Sequence, residues 1–254
     1  MKTSTLASAI KRKFTHMIGK HFLRLVSSVQ AHCSVVATTP LLPNETFTWV
    51  SELEAKYQDI TTEFETVWKD PNKIPAFHQL SPDQARISKK DHWKTYAFFI
   101  FGNSVIGNCE QCEKTTAALL KIPNLQNAWF SILAPNYHIP PHRGPTKALI
   151  RCHLGLKVPS KADDCWLRVD NEVTSWEEGK CLLFDDTYEH EVQNNTNEYR
   201  AVLFIDVNRP MNRTGTLINS IILNLMQATH YVKEPLNNIK KWNQNLANQS
   251  ESDS

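Results

Sequence analysis

Residues 138–153 hold three histidines and two arginines within sixteen positions. The β-type run at 147–156 predicts a strand through part of this segment, and side chains on a strand point alternately to opposite faces. Arg151 and His153 therefore share one face, while the apolar residues around them take the other face and need the core. Inside a small barrel, two cationic side chains are costly unless an anion is bound there. The spacing thus predicts an anion-binding face on this strand.

Two residues on other predicted strands favour the same ligand chemistry. Arg200 lies in line with apolar residues of a strand at 199–207. An arginine that shares a face with apolar side chains needs a carboxylate partner, and a guanidinium can pair with both carboxylate oxygens. Ser131 adds a small hydroxyl donor to a strand of otherwise large residues at 127–133. Together these residues indicate a site for a carboxylate ligand.

His142 and His190 are the candidate metal ligands. They are 48 residues apart, one before the strand at 147–156 and one after a predicted strand at 180–184. Histidines at such a separation are more often surface or hydrogen-bonded residues than metal ligands. These histidines, however, accompany donors for a carboxylate. An iron site with a dicarboxylate co-substrate requires this combination of neutral imidazoles and carboxylate donors. A facial triad would add a carboxylate two positions after the first histidine, where this chain has Gly144.

Several acids flank His190, and one of them could be proposed as the missing ligand: Asp185, Asp186, Glu189 and Glu191. Because neighbouring residues on a strand point away from one another, we expect these acids to be solvated or to contact the ligands from behind. We therefore expect no side chain to reach the position that Gly144 leaves open, and water to fill it.

The elements that must position these residues are mainly short strands. They are predicted at 93–101, 127–133, 147–156, 165–169, 180–184 and 199–207, separated by turn residues. Short strands at this spacing favour an all-β barrel or jelly roll. Helices are predicted at 47–67, 115–120 and 217–225, with a long irregular connection at 69–92. We divide the chain into an N-terminal arm (1–44), a domain (45–232, β core about 93–211) and a polar, disordered tail (233–254).

The N-terminal arm is strongly basic. The first 44 residues contain six Lys and Arg residues and no acid. Because the net charge of the whole chain is +2, the net charge of the remaining residues is −4. Residues 6–27 place apolar side chains at helical spacing, which predicts a basic amphipathic helix. This helix can pack on the domain, lie as a peripheral contact on an anionic membrane surface, or belong to a transit peptide.

Composition excludes several classes of protein. With 41% hydrophobic and 21% charged residues the chain is globular, and its balanced charge argues against nucleic acid as a partner. No Gly-rich phosphate-binding motif and no apolar run of about 18 residues is present. Six cysteines without a secretory signal favour a reducing, cytoplasmic location. Cys109 and Cys112 lack a second pair for zinc, which leaves a turn-closing pair or two plain thiols.

Several segments in order resemble the aspartyl/asparaginyl β-hydroxylase family of Fe(II)/2-oxoglutarate-dependent dioxygenases. They are WFS (129–131), PPHRGPT (140–146), RCHLGL (151–156), WEEGK (176–180), FDDTYEHEV (184–192) and YR (199–200). The resemblance covers about residues 93–211. It implies a mainly β fold, a double-stranded β-helix of the jelly-roll or cupin type with flanking N- and C-terminal helices. It also implies an enzyme that uses Fe(II), 2-oxoglutarate and O2 to hydroxylate an unactivated C–H bond.

The resemblance assigns roles to residues of this chain. His142 and His190 would bind the iron. The 2-oxoglutarate pocket would consist of Trp93, Ser131, Arg151, Cys152, His153 and Arg200. Arg143 and Arg151 would contact the substrate. The peptide-hydroxylating members also have Gly at the position of Gly144, so this residue does not indicate an inactive enzyme.

The substrate stays open, because the chain is similar to two branches of the family. Arg143, the segments CEQC (109–112), DDTY (185–188) and VNRPM (207–211), and KKWN (240–243) resemble the lipid A hydroxylases. Gly144 and the lack of a hydrophobic anchor depart from that branch. Leu149 departs from the peptide branch, where a substrate-reading arginine is expected. A peptide Asp/Asn, a lipid acyl chain and a small metabolite are the alternatives for the acceptor.

Two further alternatives concern the chemistry itself. With only two protein ligands, the open position could hold a halide, which would give halogenation. A non-catalytic β-helix binding module would be marked by the loss of a histidine ligand or of Arg200, and all three residues are present. Hydroxylation is therefore the favoured activity.

Overall fold

The computed structural model describes residues 26–252, with side chains for 26–249. Most of the amphipathic segment predicted at 6–27 lies outside the described residues. The strands are β1 (Leu41–Leu42), β2 (Trp93–Ile100), β3 (Asn103–Ser104), β4 (Leu125–Leu133), β5 (Tyr137–His142), β6 (Leu149–Lys157), β7 (Cys165–Val169), β8 (Glu172–Ser175), β9 (Cys181–Phe184), β10 (His190–Asn194) and β11 (Arg200–Asn208). The helices are α1 (26–33), α2 (Trp49–Glu54), α3 (Tyr57–Trp68), α4 (Phe77–Leu80), α5 (Ile106–Gln111), α6 (Glu113–Leu119), α7 (Arg213–Ala228) and α8 (His230–Ser252).

Two antiparallel sheets face each other. The larger sheet has seven strands in the order β1-β9-β6-β11-β4-β2-β3, and the smaller has four in the order β5-β10-β7-β8. Strand β11 lies at the centre of the large sheet, where Phe204 is in register with Trp129 of β4 and His153 of β6. The double-stranded β-helix with flanking helices that the sequence predicts is confirmed.

Alternation along the strands divides the apolar residues between separate cores. On β11, Leu203 and Ile205 face a core formed with α2, α3 and α6, in which Phe64 packs edge-on against Phe130 at 5.3 Å between ring centroids. Val202, one position away, faces the space between the sheets. A third core joins α7 and α8 to the large sheet. The between-sheet space is the one that receives the polar residues of the site.

The strands predicted at 93–101, 127–133, 147–156, 165–169, 180–184 and 199–207 are confirmed within two residues at either end. The sequence does not predict β5 and β10, the two strands that carry the histidines. The sequence of β5, YHIPPH, contains two prolines, which cannot donate to a central ladder and therefore indicate a loop. They are tolerated because β5 is the edge strand of the small sheet.

Both ends of the described chain correct the expected domain boundaries. The tail predicted to be disordered from 233 onward is helical as far as Ser252, because Val232 and Ile239 are buried on α7 and the large sheet. Trp242 also donates from Nε1 to the carbonyl of Lys73 at 2.9 Å. Polar composition alone was a poor guide, since a few apolar residues suffice to dock the helix. Residues 26–44 likewise pack on the domain, with Gln30 and Leu42 buried.

The predicted helix at 47–67 is two helices, α2 and α3, separated at Ala55 and Lys56. Cys109 and Cys112 are free, buried thiols, as are the other four cysteines. Of the two alternatives that the sequence left, the two plain thiols are the one found. Within residues 26–252, no helix is both long and apolar enough to cross a membrane.

Candidate active site

His142 and His190 meet where the edge strand of the small sheet joins its neighbour. His142 is the last residue of β5, His190 is the first of β10, and the two are register partners. Their ring centroids lie 4.1 Å apart. His190 is buried and His142 is partly buried. The structure therefore brings together two residues that are 48 positions apart in the sequence.

Each imidazole is fixed in a tautomer that leaves Nε2 with a free lone pair. His142 contacts the carbonyl of Pro140 through Nδ1 at 2.8 Å, and His190 contacts the carbonyl of Tyr188 through Nδ1 at 3.0 Å. A carbonyl only accepts, so Nδ1 carries the proton and Nε2 keeps its lone pair. Burial lowers the pKa of His142 to about 4 and also lowers that of His190. Both rings are thus neutral at neutral pH, which is the form in which an imidazole can bind a metal ion.

Asp186 occupies the space beside Gly144. A Cβ on Gly144 would overlap the carboxylate of Asp186, and the Gly144 amide donates to the Asp186 carbonyl at 2.7 Å. An acid therefore lies closer to Gly144 than strand alternation predicts. Asp186 precedes β10 and lies in a turn, where strand alternation does not hold. Even so, within residues 26–252 no group of three or more His, Cys, Asp and Glu side chains is arranged to hold a metal ion.

Arg151 holds Asp186 in place. Its Nη2 lies 3.0 Å from Oδ2 of Asp186, and its Nε donates to Oδ1 of Asp206 at 2.9 Å. The guanidinium also covers the ring of Phe204, 4.2 Å from the centroid. Burial raises the pKa of Asp186 to about 6 against the attraction of Arg151. Arg151 therefore faces the site, as predicted from alternation, but its charge is matched by two carboxylates.

Arg200 is buried without a carboxylate partner. It is 1% exposed, yet none of the ion pairs in the described part of the chain includes it. Its guanidinium lies 4.6 Å over the ring of Trp176, its Nη1 reaches the carbonyl of Ser131 at 3.4 Å, and its Nε has no partner. Burial lowers the pKa of Arg200 to about 10. A buried cation without an anion is costly, so this position indicates a bound anionic ligand.

His153 and Ser131 provide further donors next to Arg200. The indole of Trp176 donates to Nδ1 of His153 at 3.3 Å, so the imidazole proton is on Nε2, which is buried and unpartnered. Burial and the charge of Arg200 lower the pKa of His153, so the ring is neutral. The indole of Trp93 donates to Oγ of Ser131 at 2.9 Å, which leaves the Ser131 hydroxyl proton for another acceptor.

Of the predicted 2-oxoglutarate residues, Cys152 is the one that the structure separates from the others. It faces the helix-side core, where its thiol contacts that of Cys181. The reason is the alternation along β6, which sends Arg151 and His153 to the opposite face. Cys152 therefore touches no group that could belong to the site.

A cavity opens beside His142 and extends towards α7 and α8. Two exposed arginines, Arg86 and Arg143, line it together with Arg151 and Asp186. Most of its buried lining is apolar and includes Leu80, Ala97, Ile100, Phe101, Leu149, Phe204 and Met226. The buried polar residues Thr95, Asn127, Thr146 and Asp206 line it as well. No pattern in the sequence indicates this cavity, because its residues come from separate elements and have the spacing of ordinary core residues.

A double-stranded β-helix with a neutral histidine pair beside a buried, unmatched arginine defines the class: a 2-oxoglutarate-dependent dioxygenase that acts as a hydroxylase. The sequence profile of the family "Aspartyl/Asparaginyl beta-hydroxylase" matches residues 54–210, more than half of the chain. The chain belongs to this family.

The chain has several similar relatives. An ornithine lipid ester-linked acyl 2-hydroxylase of Rhizobium tropici is 39% identical over 226 residues, which are 88% of this chain and 80% of that protein. The human aspartyl/asparaginyl β-hydroxylase is 31% identical over 173 residues, or 64% of this chain, and the chain spans 23% of its length. Among solved structures, a prolyl hydroxylase from Trichoplax adhaerens is 12% identical with a TM-score of 0.45, covering 82% of this chain and 96% of that one.

Proposed function

We propose that His142 and His190 hold Fe(II) through their Nε2 atoms, and that Ser131, His153 and Arg200 hold 2-oxoglutarate. When bound, the iron and its co-substrate supply the oxidation of a C–H bond by O2. The observation that carries this proposal is the buried and unpaired guanidinium of Arg200. A dicarboxylate would match its charge and accept from its unpartnered Nε.

The surrounding residues orient these donors. Trp176 lies against the guanidinium of Arg200 and donates to His153, so it fixes both side chains at once. Trp93 fixes the hydroxyl of Ser131 and lies beside the same space. The charge of Arg151 is neutralised by Asp186 and Asp206. Arg151 therefore has a positioning role, because it keeps Asp186 next to the histidines. The low-dielectric surroundings strengthen each of these interactions.

Asp186 also bears on halogenation, the alternative that the open position suggested. Its carboxylate lies in the space beside Gly144. A negative charge there disfavours a halide by electrostatic repulsion and favours a water molecule that can donate to it. Asp186 thus supports hydroxylation over halogenation.

We propose that the substrate is the acyl chain of a lipid. The cavity beside His142 has a largely apolar interior, in which Leu149 stands where a peptide-reading arginine is expected. Such a mainly apolar lining favours a hydrocarbon chain. The Rhizobium tropici relative, whose name states an acyl substrate, also covers most of this chain. Arg143, exposed at the same cavity, would contact the head group.

The second candidate is a peptide Asp or Asn residue. The observation in its favour is that Arg86 and Arg143 are exposed, line the cavity and form no ion pair among residues 26–249. They could read a side-chain carboxylate near His142. The apolar interior beyond them would then have no occupant, which is why the acyl chain is preferred.

We place the protein in the cytoplasm with peripheral membrane contact. Six unpaired thiols suit a reducing compartment, and a lipid substrate requires access to a membrane. Residues 6–27, with basic and apolar side chains at helical spacing, are the predicted contact.

The test is turnover of full-length protein with Fe(II), 2-oxoglutarate and O2, offered an N-acyl amino acid or an Asp-containing peptide. Addition of one oxygen atom, read by mass spectrometry, should occur on the acyl compound and be accompanied by an equimolar amount of succinate formed from 2-oxoglutarate. The double variant of His142→Ala and His190→Ala is the control and should form no product. Hydroxylation of the peptide alone would reject the lipid substrate and leave the oxygenase class intact.

A further inference from the structure

Helix α7 is apolar on two sides. Its inward side buries Ile222, Leu223 and Met226. Its outward side carries Leu217, Ile221 and Leu225, which are 63%, 50% and 58% exposed. These three residues recur at every fourth position, so they lie in one row along the helix. We refer to them as the α7 stripe.

The α7 stripe differs from the other exposed apolar side chains. Ile106, Leu120 and Val173 are as exposed but belong to separate elements, and single apolar residues are normal on a protein surface. Three large aliphatic side chains in a row are contiguous, which marks an interaction surface.

The position of α7 connects the stripe to the cavity. Met226 lines the cavity and follows Leu225 of the stripe directly. The helix is therefore the wall between the apolar cavity and the outer surface. Since a helix with its side chains is about 10 Å across, an acyl layer against the stripe would lie one helix diameter from the cavity.

Charge indicates what covers the stripe. From 214 to 232 the chain has no Asp, Glu, Lys or Arg, and Arg213 and Lys233 flank this stretch. In the described helix α1, Gln30 donates to Asn219 of α7 at 2.9 Å. The 25 residues that precede α1 contain six Lys and Arg and no acid. The chain that leads into α1 is thus cationic in sequence, which favours an anionic surface as the partner.

We propose that the α7 stripe docks on an anionic lipid bilayer, with its aliphatic side chains in the acyl layer and the basic residues at the head groups. The biological role of this docking rests on the proposed lipid substrate, because docking through the α7 stripe brings the cavity to the membrane that holds the substrate. Its physical basis is separate: an apolar row with cationic residues before and after it in the sequence binds through buried area and electrostatic attraction together.

The test uses the full chain and sedimentation with vesicles, either of phosphatidylcholine and phosphatidylglycerol in equal parts or of phosphatidylcholine alone. The wild type should bind the anionic vesicles more tightly. Replacing the stripe by Leu217→Gln, Ile221→Gln and Leu225→Gln should weaken this binding at least about tenfold. The matched control, Ile106→Gln, Leu120→Gln and Val173→Gln, removes as many exposed apolar side chains and should bind as the wild type does.

Three results would overturn the proposal. The stripe variant could bind vesicles as tightly as the wild type. The wild type could be a dimer by light scattering that dissociates in the stripe variant, which would assign the stripe to a second copy. The stripe variant could lose as much thermal stability as a protein with substitutions in its core, which would show that the chain itself covers the stripe.

Failure of docking and failure of the proposed function are distinguishable. Hydroxylation of a soluble short-chain acyl amino acid, measured without vesicles, reports on the active site alone. Turnover without stripe-dependent vesicle binding would reject the docking surface only. Stripe-dependent binding without acyl turnover would reject the lipid substrate and retain the docking surface.

Discussion

Two buried arginines in this protein have opposite surroundings. Arg209 is fully buried and pairs with Asp185, which also accepts from Lys147 at 2.6 Å and from Thr187 at 2.6 Å. Arg200 is equally buried and pairs with no carboxylate among the residues that the structure describes. The Arg209 cluster is complete within the chain, whereas the Arg200 pocket needs a partner from outside.

The difference separates a structural role from a ligand-binding role. The Asp185 cluster joins three segments next to the site: the approach to β6, the turn before β10 and the end of β11. It holds the turn that contains Asp186 and leads to His190. The Arg200 pocket holds no segment together, because its guanidinium makes one long hydrogen bond to protein. Removing a group from each region should therefore have opposite effects on stability.

The largest effect is expected from Asp185→Asn. The substitution leaves the buried Arg209 and the partly buried Lys147 without their anion, which costs about 3 to 5 kcal/mol of unfolding free energy. Chemical denaturation of the wild type and the variant measures it. Asp59→Asn is the control, since its partner Lys114 is exposed and the substitution should have little effect on stability. An Asp185→Asn protein as stable as the wild type would mean that the cluster is not structural.

A cation introduced into the cavity without an anionic partner tests whether an unpaired buried charge is costly there too. Leu149→Arg puts a guanidinium in the apolar interior, next to Arg151, which already neutralises the nearby carboxylates. Acyl turnover should fall about a hundredfold, or about 2.7 kcal/mol, while 2-oxoglutarate affinity stays the same. Leu149→Met preserves the lining and should retain turnover. Improved activity on an Asp-containing peptide in Leu149→Arg would instead favour the second candidate function.

The stability effect of Arg200→Met should be smaller and opposite in sign to that of Asp185→Asn. Without ligand, replacing a buried and unmatched cation by an apolar side chain of similar length should leave stability unchanged or raise it by about 1 kcal/mol. Thermal unfolding of the protein without metal or co-substrate measures this. Strong destabilisation would show that Arg200 is a structural residue, like Arg209.

The pH dependence of stability sharpens the comparison further. Burial raises the pKa of Asp185, but Arg209, Lys147 and Thr187 outweigh it and lower that pKa below its ordinary value. A lowered pKa in the folded state stabilises the protein above the unfolded pKa, and this stability is lost as pH falls below about 4. The difference in unfolding free energy between the wild type and Asp185→Asn should therefore shrink below pH about 4. A constant difference would contradict the assignment.

Much of the fold follows from the sequence because alternation and turn residues mark each strand. The same alternation predicts that Arg151 and His153 share a face, as the structure confirms. It fails at Asp186, which lies in a turn beside Gly144 and not on a strand. Local patterns describe residues within an element, and Asp186 reaches its position through the path of a loop.

Features that depend on several elements were not predictable in the same way. The partners of Arg151 come from the turn before β10 and from β11, and the cavity draws on α4, α7 and α8. The docking of α8 depends on Val232 and Ile239, two apolar residues in a polar segment. Each of these requires knowledge of which elements meet, which the spacing of residues within one element does not contain.

The central claim is that the unmatched charge of Arg200 receives 2-oxoglutarate, and anaerobic calorimetry of full-length protein with Mn(II) and 2-oxoglutarate tests it most directly. Arg200→Met should weaken binding at least about tenfold, because the loss of a buried charge-assisted pair costs about 2 to 5 kcal/mol. Arg213→Met, an exposed arginine outside the pocket, should bind as the wild type does. An unchanged affinity in Arg200→Met would contradict the account.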